Sequence, residues 1–520
     1  MTGKADRTRP RRANHRPKTP PSSTRKRRPR LRAAGAGAGD NRMQQPLYLT
    51  TPLYYVNDEA HIGHAYTTIL ADVLARFHRF FGRDVHFLTG LDEHGQKVMQ
   101  AAEKLGRTPQ EHCDAMAPLW KQVWEQLEIE YDDFIRTTEP RHEEVVKEIL
   151  LRLRDKGDIY QEKYEGWYSV FEERFFTEKD LVDGMDPIGG RPVEWIQETN
   201  YFFRMSRYQD WLVKHYEEHE DAVIPSFRRN EVLGFLRKPL GDLCISRPKS
   251  RLAWGIPLPW DEEYVTYVWF DALLNYYSAT VSPPEGARVS WPADYHLIGK
   301  DILTTHAVYW PIMLHAAGIE PPRHILAHGW WLAKDAAKMS KSSGNVIRPL
   351  DLAKLYGADP FRYVLMREMV VGQDASFSEE LFIKRVNSDL ANDLGNLVNR
   401  VTRLVAKHFE GIVPEVEPRA EDPLAELAGR TAEEVRKLVE RFQIHAAIEE
   451  TLQFVRAINR DLSEAAPWTT VKSDREAAGE ALARALEGVR IAAVLLSPVM
   501  PEKAAELAGR IGAEVKERYT

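Results

Sequence analysis

Cysteine is almost missing from this chain: Cys113 and Cys244 are the only two among 520 residues. Two thiols cannot build a disulfide framework or a four-thiolate metal site, so the sequence suits a reducing, cytoplasmic setting in which both pack as small apolar side chains. Long apolar runs are missing as well. No segment approaches the roughly 18 uninterrupted apolar residues of a membrane span, and 43% hydrophobic with 28% charged residues is an ordinary globular balance with no membrane partner. The Gly-Lys-Ser/Thr phosphate loop is absent, which removes the commonest nucleotide-site alternative. His142-Glu143-Glu144 opens like a zinc-protease signature, but Val146 stands where its second histidine is required. The turn-rich stretch 164–195 has neither cysteine nor histidine, hence no nitrogen or sulfur ligand for structural zinc.

What is present is organised unevenly. The first 42 residues carry 14 Lys and Arg against Asp6 and Asp40, so a tail of +12 precedes a body of −18. A basic tail on an acidic body points to nucleic acid near one end. Its Arg, Pro and Gly-Ala composition equally predicts disorder, with Met43 as an alternative start. At about 150 residues per domain, the chain holds about three domains.

The organising stretch is 49–95. An apolar segment leads to a polar turn, His61-Ile62-Gly63-His64, then to a helix with Ile69, Val73, Phe77 and Phe81 four apart, and on to a second apolar segment from Val85. That is a strand-loop-helix-strand unit, and in parallel α/β sheets ligands sit at the strand ends, where helix N-termini offer N–H groups to phosphates. The second segment ends in Thr89-Gly90-Leu91-Asp92-Glu93-His94-Gly95. Asp92 has two readings there, a carboxylate for an ammonium ligand or the cap of a helix from Gln96 to Leu105.

After an aromatic, charged and aperiodic insertion, the sheet is expected to resume at 264–271 and again at 296–301. Ile302, His306 and Trp310 then share a helical face, a spacing that by itself suits a satisfied core histidine. Lys338-Met339-Ser340-Lys341-Ser342 sets two lysines in a small-residue loop, which suits polyphosphate. From residue 378 onwards the pattern is nearly all helix and predicts a bundle.

His61 to His64 and the lysine loop, in this order on two halves of a split sheet, resemble the signatures of class I aminoacyl-tRNA synthetases. TTPLYYVN at 50–57, TGLDEHG at 89–95, GDLCISRPKSR at 241–251, VTYVWFDALLNY at 265–276, IGKDILTTH at 298–306 and APW at 466–468 extend the resemblance to the methionyl-tRNA synthetase family over nearly everything after Met43. The resemblance implies an α/β, split Rossmann-type parallel sheet at 43–138 and 266–331, with a connective insertion at 139–265. A lysine-loop and stem-contact region follows at 332–385, and a helical anticodon-binding bundle at 386–520.

It implies ATP-dependent activation of L-methionine, with Mg²⁺ accompanying ATP, and transfer to both initiator and elongator tRNA(Met). His61, Gly63, His64, Gly299, Asp301, Lys338 and Lys341 would hold ATP, the two histidines and two lysines being catalytic. Leu53, Tyr55, Asp92, Trp269, Ala272, Tyr276, Ile302 and His306 would surround methionine, and Arg247 would support the lysine loop. Asn396, Arg400 and Trp468 would read the anticodon, although Trp468 after Pro467 also suits a plug in the bundle.

One departure concerns metal. Where many relatives carry a zinc knuckle, this chain has Ser169, Glu172, Asp186 and Gly189, so the insertion is expected to keep its fold without zinc, around Trp167, Phe171 and Phe175. With no dimerising module visible after the bundle, a monomer is expected. A synthetase for leucine or valine would need a larger editing insertion. A nucleotidylyltransferase sharing the histidine turn would lack the lysine loop and bundle, and a silent RNA-binding relative would have no use for intact histidines and lysines.

Overall fold

The computed structural model describes residues 46–57, 59–169, 174–187, 189–333, 347–416 and 422–515, with the backbone alone at 164, 174 and 175. The basic tail, Lys338, Lys341, Glu172 and Phe171 lie outside the described residues, as does the side chain of Phe175.

Seven strands form a wholly parallel sheet in the order Asp133–Arg136, Val85–Asp92, Leu47–Thr50, Tyr295–Gly299, His324–His328 and Val223–Ile224, with the two-residue strand Tyr54–Tyr55 paired to the far end of Val85–Asp92. From Leu47–Thr50 the chain builds outward on one side and from Tyr295–Gly299 on the other. These two neighbours, in register at Thr50 and His296, therefore flank the switch point, and ligands are held beyond their carboxyl ends.

Alternate residues feed two apolar layers. Leu47, Leu49, Phe87 and Leu297 face the layer with helix Ile62–Phe80, while Tyr48, Leu88 and Ile298 face the layer with helices Pro140–Asp155 and Trp310–Ala316. A sheet covered on both faces explains why its strands read as apolar runs.

Of the predicted helix face, Ile69, Val73 and Phe77 are buried and Phe81, at the C-cap, is half-buried, but Leu70, Ala71 and Leu74 are buried as well. Helix Ile62–Phe80 is enclosed on most sides because the C-terminal half packs over it. It ends at Phe81, and Gly82 takes the left-handed conformation (φ +85°) that a side chain would disfavour.

Two expectations shift. The segment 264–271 does not rejoin the main sheet: Asp261–Thr266 pairs antiparallel with Ser246–Pro248 and Pro257–Leu258, and Val268–Leu273 is a helix. A short, mostly buried apolar run has the same composition in either conformation, so periodicity does not separate them. The stretch 139–265 also does more than connect, since helix Pro140–Asp155 packs into the core layer and Val223–Ile224 supplies the sheet's edge strand. Its remainder is built on a long antiparallel pair, Ile159–Ser169 with Glu194–Phe203.

The C-terminal bundle contains helices Asn396–His408, Pro423–Glu440, Ile444–Ala465, Arg475–Leu496 and Pro501–Arg510. Gly488 permits the close crossing of the third and fourth, because a Cβ there would come within 2.8 Å of Ile458 Cδ1. Arg362, fully buried, ties this half to the layer of helix Ile62–Phe80: it donates to Asp72 at 2.5 Å, to the carbonyls of Leu127 and Glu128, and to those of Pro498 and Val499. Removing either member of such a dry pair leaves an uncompensated charge.

Candidate active site

The turn at the switch point is built by its own histidines. His61 caps helix Ile62–Phe80, its Nδ1 accepting from the Gly63 N–H at 3.1 Å, while His64 Nδ1 accepts from the His61 N–H at 3.3 Å. The rings stack at 3.6 Å between centroids. Gly63 favours this packing, since a Cβ would sit a tight 3.0 Å from His61 Cε1. Burial pushes His61 down, against an opposing pull from Asp301, and pushes His64 well down, helped by His61. Both rings are thus neutral. A neutral imidazole whose Nδ1 accepts carries its proton on Nε2, so each ring keeps one N–H donor free of the turn's own hydrogen bonding.

Behind the turn, Thr67 Oγ1 lies 2.7 Å from His328 Nε2, which joins the helix to the end of the neighbouring strand. The Ile62 N–H donates to the Ile347 carbonyl at 3.1 Å, and Arg348 lies 3.5 Å from Glu59. The segment that follows the lysine loop is thereby fastened to the histidine turn. The strand expected over 296–301 ends at Gly299, and Asp301 lies in the helical turn Lys300–Ile302 that follows: a Cβ on Gly299 would collide with Asp301 Oδ1 at 2.5 Å, and that oxygen accepts from Trp330 Nε1.

A second group of proposed residues converges beside Tyr276. Its hydroxyl lies 2.8 Å from His306 Nε2, whose Nδ1 is 3.0 Å from the Ile302 carbonyl. Both nitrogens of His306 are therefore engaged, and burial pushes it down to about 4. It offers a neutral ring to a ligand and no spare polar atom. The helical stripe predicted for Ile302, His306 and Trp310 is interrupted by a π-helical turn at Thr305–Tyr309, a feature often found at functional sites.

Ala272 is buried, Trp269, Leu53 and Tyr55 are half-buried, and Lys97 lies over the Tyr55 ring. Asp92 is buried at its strand end and does not cap the following helix, whose N-cap is Gly95 (φ +100°). Arg247 is buried between Tyr168 and Tyr267, the latter immediately preceding the Trp269 helix.

Sequence reasoning missed several groups here. His296 bridges Thr50 Oγ1 (2.7 Å) and Trp310 Nε1 (3.1 Å), and His94 and His142 both bind Asp271. Their partners lie 129 to 246 positions away, apart from Trp310, so no local pattern announces them.

At the far end of the chain, Arg400 sits one helical turn beyond the exposed Asn396, and its guanidinium lies 5.5 Å from the Trp468 ring centroid. Arg400 Nη2 donates to Asn459 Oδ1 at 2.9 Å, another partner the sequence did not reveal. Trp468 is 38% exposed while Pro467 is buried, so proline rather than tryptophan fills the bundle.

A family model described as class I tRNA synthetases (M) matches residues 47–192 and 177–402, and one described as the anticodon-binding domain of methionyl tRNA ligase matches 414–519. A methionine–tRNA ligase of Thermosynechococcus vestitus is 46% identical over 480 residues, covering 90% of this chain and 90% of its own. One of Caldanaerobacter subterraneus is 44% identical, covering 90% and 74%. The chain belongs to the methionyl-tRNA synthetase family. The solved structure of Mycobacterium tuberculosis methionyl-tRNA synthetase in complex with methionyl-adenylate superposes with a TM-score of 0.84 at 42% identity, covering 89% of this chain and 93% of that one. The enzyme class is accordingly that of a class I aminoacyl-tRNA synthetase, with a parallel-sheet catalytic domain ahead of a helical anticodon-binding domain.

The zinc-knuckle positions of that family deserve a chemical test in this chain. Asp186, buried, accepts from the Gly189 and Arg191 N–H groups and from Ser169 Oγ. Glu172 lies outside the described residues; of the other three positions, a carboxylate already receiving three hydrogen bonds, a hydroxyl and a glycine supply no nitrogen or sulfur ligand for a tetrahedral zinc ion. Trp167 packs edge-on against Trp195 at 5.3 Å in the same sheet.

Proposed function

We propose that this enzyme activates L-methionine with MgATP and transfers it to tRNA(Met), and that His61 and His64 are the donors at the centre of the first step. The observation that carries the reading is the pair of neutral imidazoles held with Nδ1 turned to the helix's backbone N–H groups. Their Nε2–H groups, together with the helix N-terminus, meet the phosphates of ATP.

In the first half-reaction a methionine carboxylate oxygen attacks the α-phosphorus, the bond to the bridging oxygen breaks, and pyrophosphate leaves. Charge develops on the transferring phosphoryl group, where pre-positioned donors act without reorganisation. Lys338 and Lys341 neutralise the departing pyrophosphate, and the tether from Ile347 to Ile62 keeps the end of their loop at the turn. Gly299 and Asp301 take the adenosine ribose. Magnesium would enter with the nucleotide and would neutralise charge on its phosphates. In the second half-reaction the terminal ribose hydroxyl of tRNA attacks the acyl carbon and AMP leaves.

Tyr55, Trp269, Ala272, Tyr276, Ile302 and His306 surround the thioether, which gains from polarisable aromatic contacts. Asp92 and the Leu53 carbonyl hold the ammonium. Arg247, stacked on Tyr267, supports this wall from the insertion and, through it, the lysine loop. Asn396, Arg400 and Trp468 read unpaired anticodon bases by edge hydrogen bonding and stacking, on initiator and elongator tRNA alike. The enzyme works in the cytoplasm as a monomer.

The deciding experiment is amino-acid-dependent exchange of pyrophosphate into ATP across the amino acids. Methionine alone should support it; exchange driven by leucine or valine, or none at all, would overturn the reading.

A further inference from the structure

Two histidines and an aspartate that these roles leave unused form a dry cluster against the methionine wall. Asp271 lies on helix Val268–Leu273; its Oδ2 is 2.7 Å from His94 Nδ1 and its Oδ1 is 2.7 Å from His142 Nε2. His142 Nδ1 lies 3.1 Å from Ser278 Oγ. Exposures are 3%, 0% and 0% for His94, Asp271 and His142. Burial pushes the Asp271 carboxyl up, and the two imidazoles more than offset it; the same pairing raises His94 against its own burial.

A buried charged cluster is a poor way to gain stability, since apolar residues of similar volume often do as well or better. Its short directional bonds do fix distances. The elements they join all bear on methionine: His94 follows Asp92 by two residues, Asp271 lies between Trp269 and Ala272, Ser278 shares helix Asn275–Val281 with Tyr276, and His142 anchors all three to the core helix Pro140–Asp155. Trp254 closes the arrangement, its ring 5.3 Å from His94 and its Nε1 donating to the Glu93 carbonyl.

We propose that His94, Asp271 and His142 are the positioning unit of the methionine pocket: they lock the Asp92 strand end against the Trp269 helix, so that the ammonium and thioether groups are held together. The inference rests on the pocket assignment above. Misplacement of a binding wall by about 1 Å is enough to weaken a site.

The test is pyrophosphate exchange with methionine and ATP varied separately, a readout in which KM is independent of the fraction of folded enzyme. His94→Leu and His142→Leu remove a donor to Asp271 and should each raise methionine KM about tenfold, with ATP KM within about twofold. His94→Asn keeps a donor at the Nδ1 place and His142→Gln at the Nε2 place, and each should restore methionine KM to within about threefold. Methionine KM unchanged in the Leu variants, methionine and ATP KM rising together, or no rescue by Asn and Gln would overturn the positioning role.

Trp269→Ala serves as the control for the pocket itself. A raised methionine KM there together with normal values in the Leu variants rejects this inference alone. An unchanged value in Trp269→Ala rejects the pocket assignment, and the inference with it.

Discussion

Two pairs of histidines, about 30 residues apart in the sequence at their closest, are held in opposite ways. At the switch point, His61 and His64 turn Nδ1 inward to backbone N–H groups, stack on each other and keep Nε2–H for a ligand. Beside the methionine wall, His94 and His142 spend nitrogens on one buried carboxylate. In the roles proposed above, the same side chain is a donor to substrate in one place and a spacer in the other. What decides between them is the partner of the engaged nitrogen: a backbone N–H makes it an acceptor and puts the proton on Nε2, whereas a carboxylate makes it a donor.

That contrast can be broken by substitutions that imitate one ring nitrogen at a time. Truncating a switch-point donor should have the largest effect: His64→Asn should lower the exchange rate about 10²–10³-fold with methionine KM little changed, as for loss of one transition-state donor. His64→Gln, which carries an N–H at the Nε2 place, should recover part of the loss, the reverse of the order expected at His94. Lys341→Ala should match the His64→Asn loss; near-normal turnover in either variant would remove the proposed catalytic role.

The two regions should also separate with pH. His306 is held down to about 4 by burial against about 6.5 in an unfolded chain. Between those values the unfolded state binds the proton and the folded state does not. Its contribution is therefore complete above pH 6.5 and is lost by about 1.4 kcal/mol per unit as pH falls toward 4. Urea midpoints at pH 7, 6 and 5 should fall accordingly, and His306→Gln should flatten the slope. The exchange rate, by contrast, should hold steady from pH 8 to about 6.5, because both switch-point rings are already neutral there. A rate that climbs on acidification through that range would mean that imidazolium does the work.

A smaller effect is expected at the bundle. Trp468→Ala should weaken tRNA charging by about 1–3 kcal/mol of base stacking while leaving methionine-dependent exchange untouched. Asn459→Ala, which frees Arg400, should do the same by about 0.5–1.5 kcal/mol. Loss of exchange in either variant would mean that the bundle also shapes the catalytic site.

The switch-point turn was legible because its signals are local: the histidines and glycine lie within four residues, and the helix they cap follows at once. The members assigned to the wall, Asp92 and His306 among them, come from the family resemblance, whereas the hydrogen bonds that tie its elements together do not. Trp269 and Asp271 were placed on a strand, and His142 looked like the remnant of a failed metal motif. Asp271 meets His94 across 177 positions and His142 across 129, so its role is invisible to any window of sequence. Asn459, 59 positions from Arg400, escaped for the same reason.

By itself the sequence determined the parallel α/β layout, the polar turn ahead of the first helix, the bundle and the family, since each depends on short-range periodicity or on motifs in a fixed order. Only the tertiary structure decided which partners the nitrogens of each histidine take, that Gly95 rather than Asp92 caps its helix, and that Pro467 rather than Trp468 fills the bundle. Those outcomes are set by which distant groups compete for each hydrogen bond and each buried volume, and that competition exists only once the chain has folded.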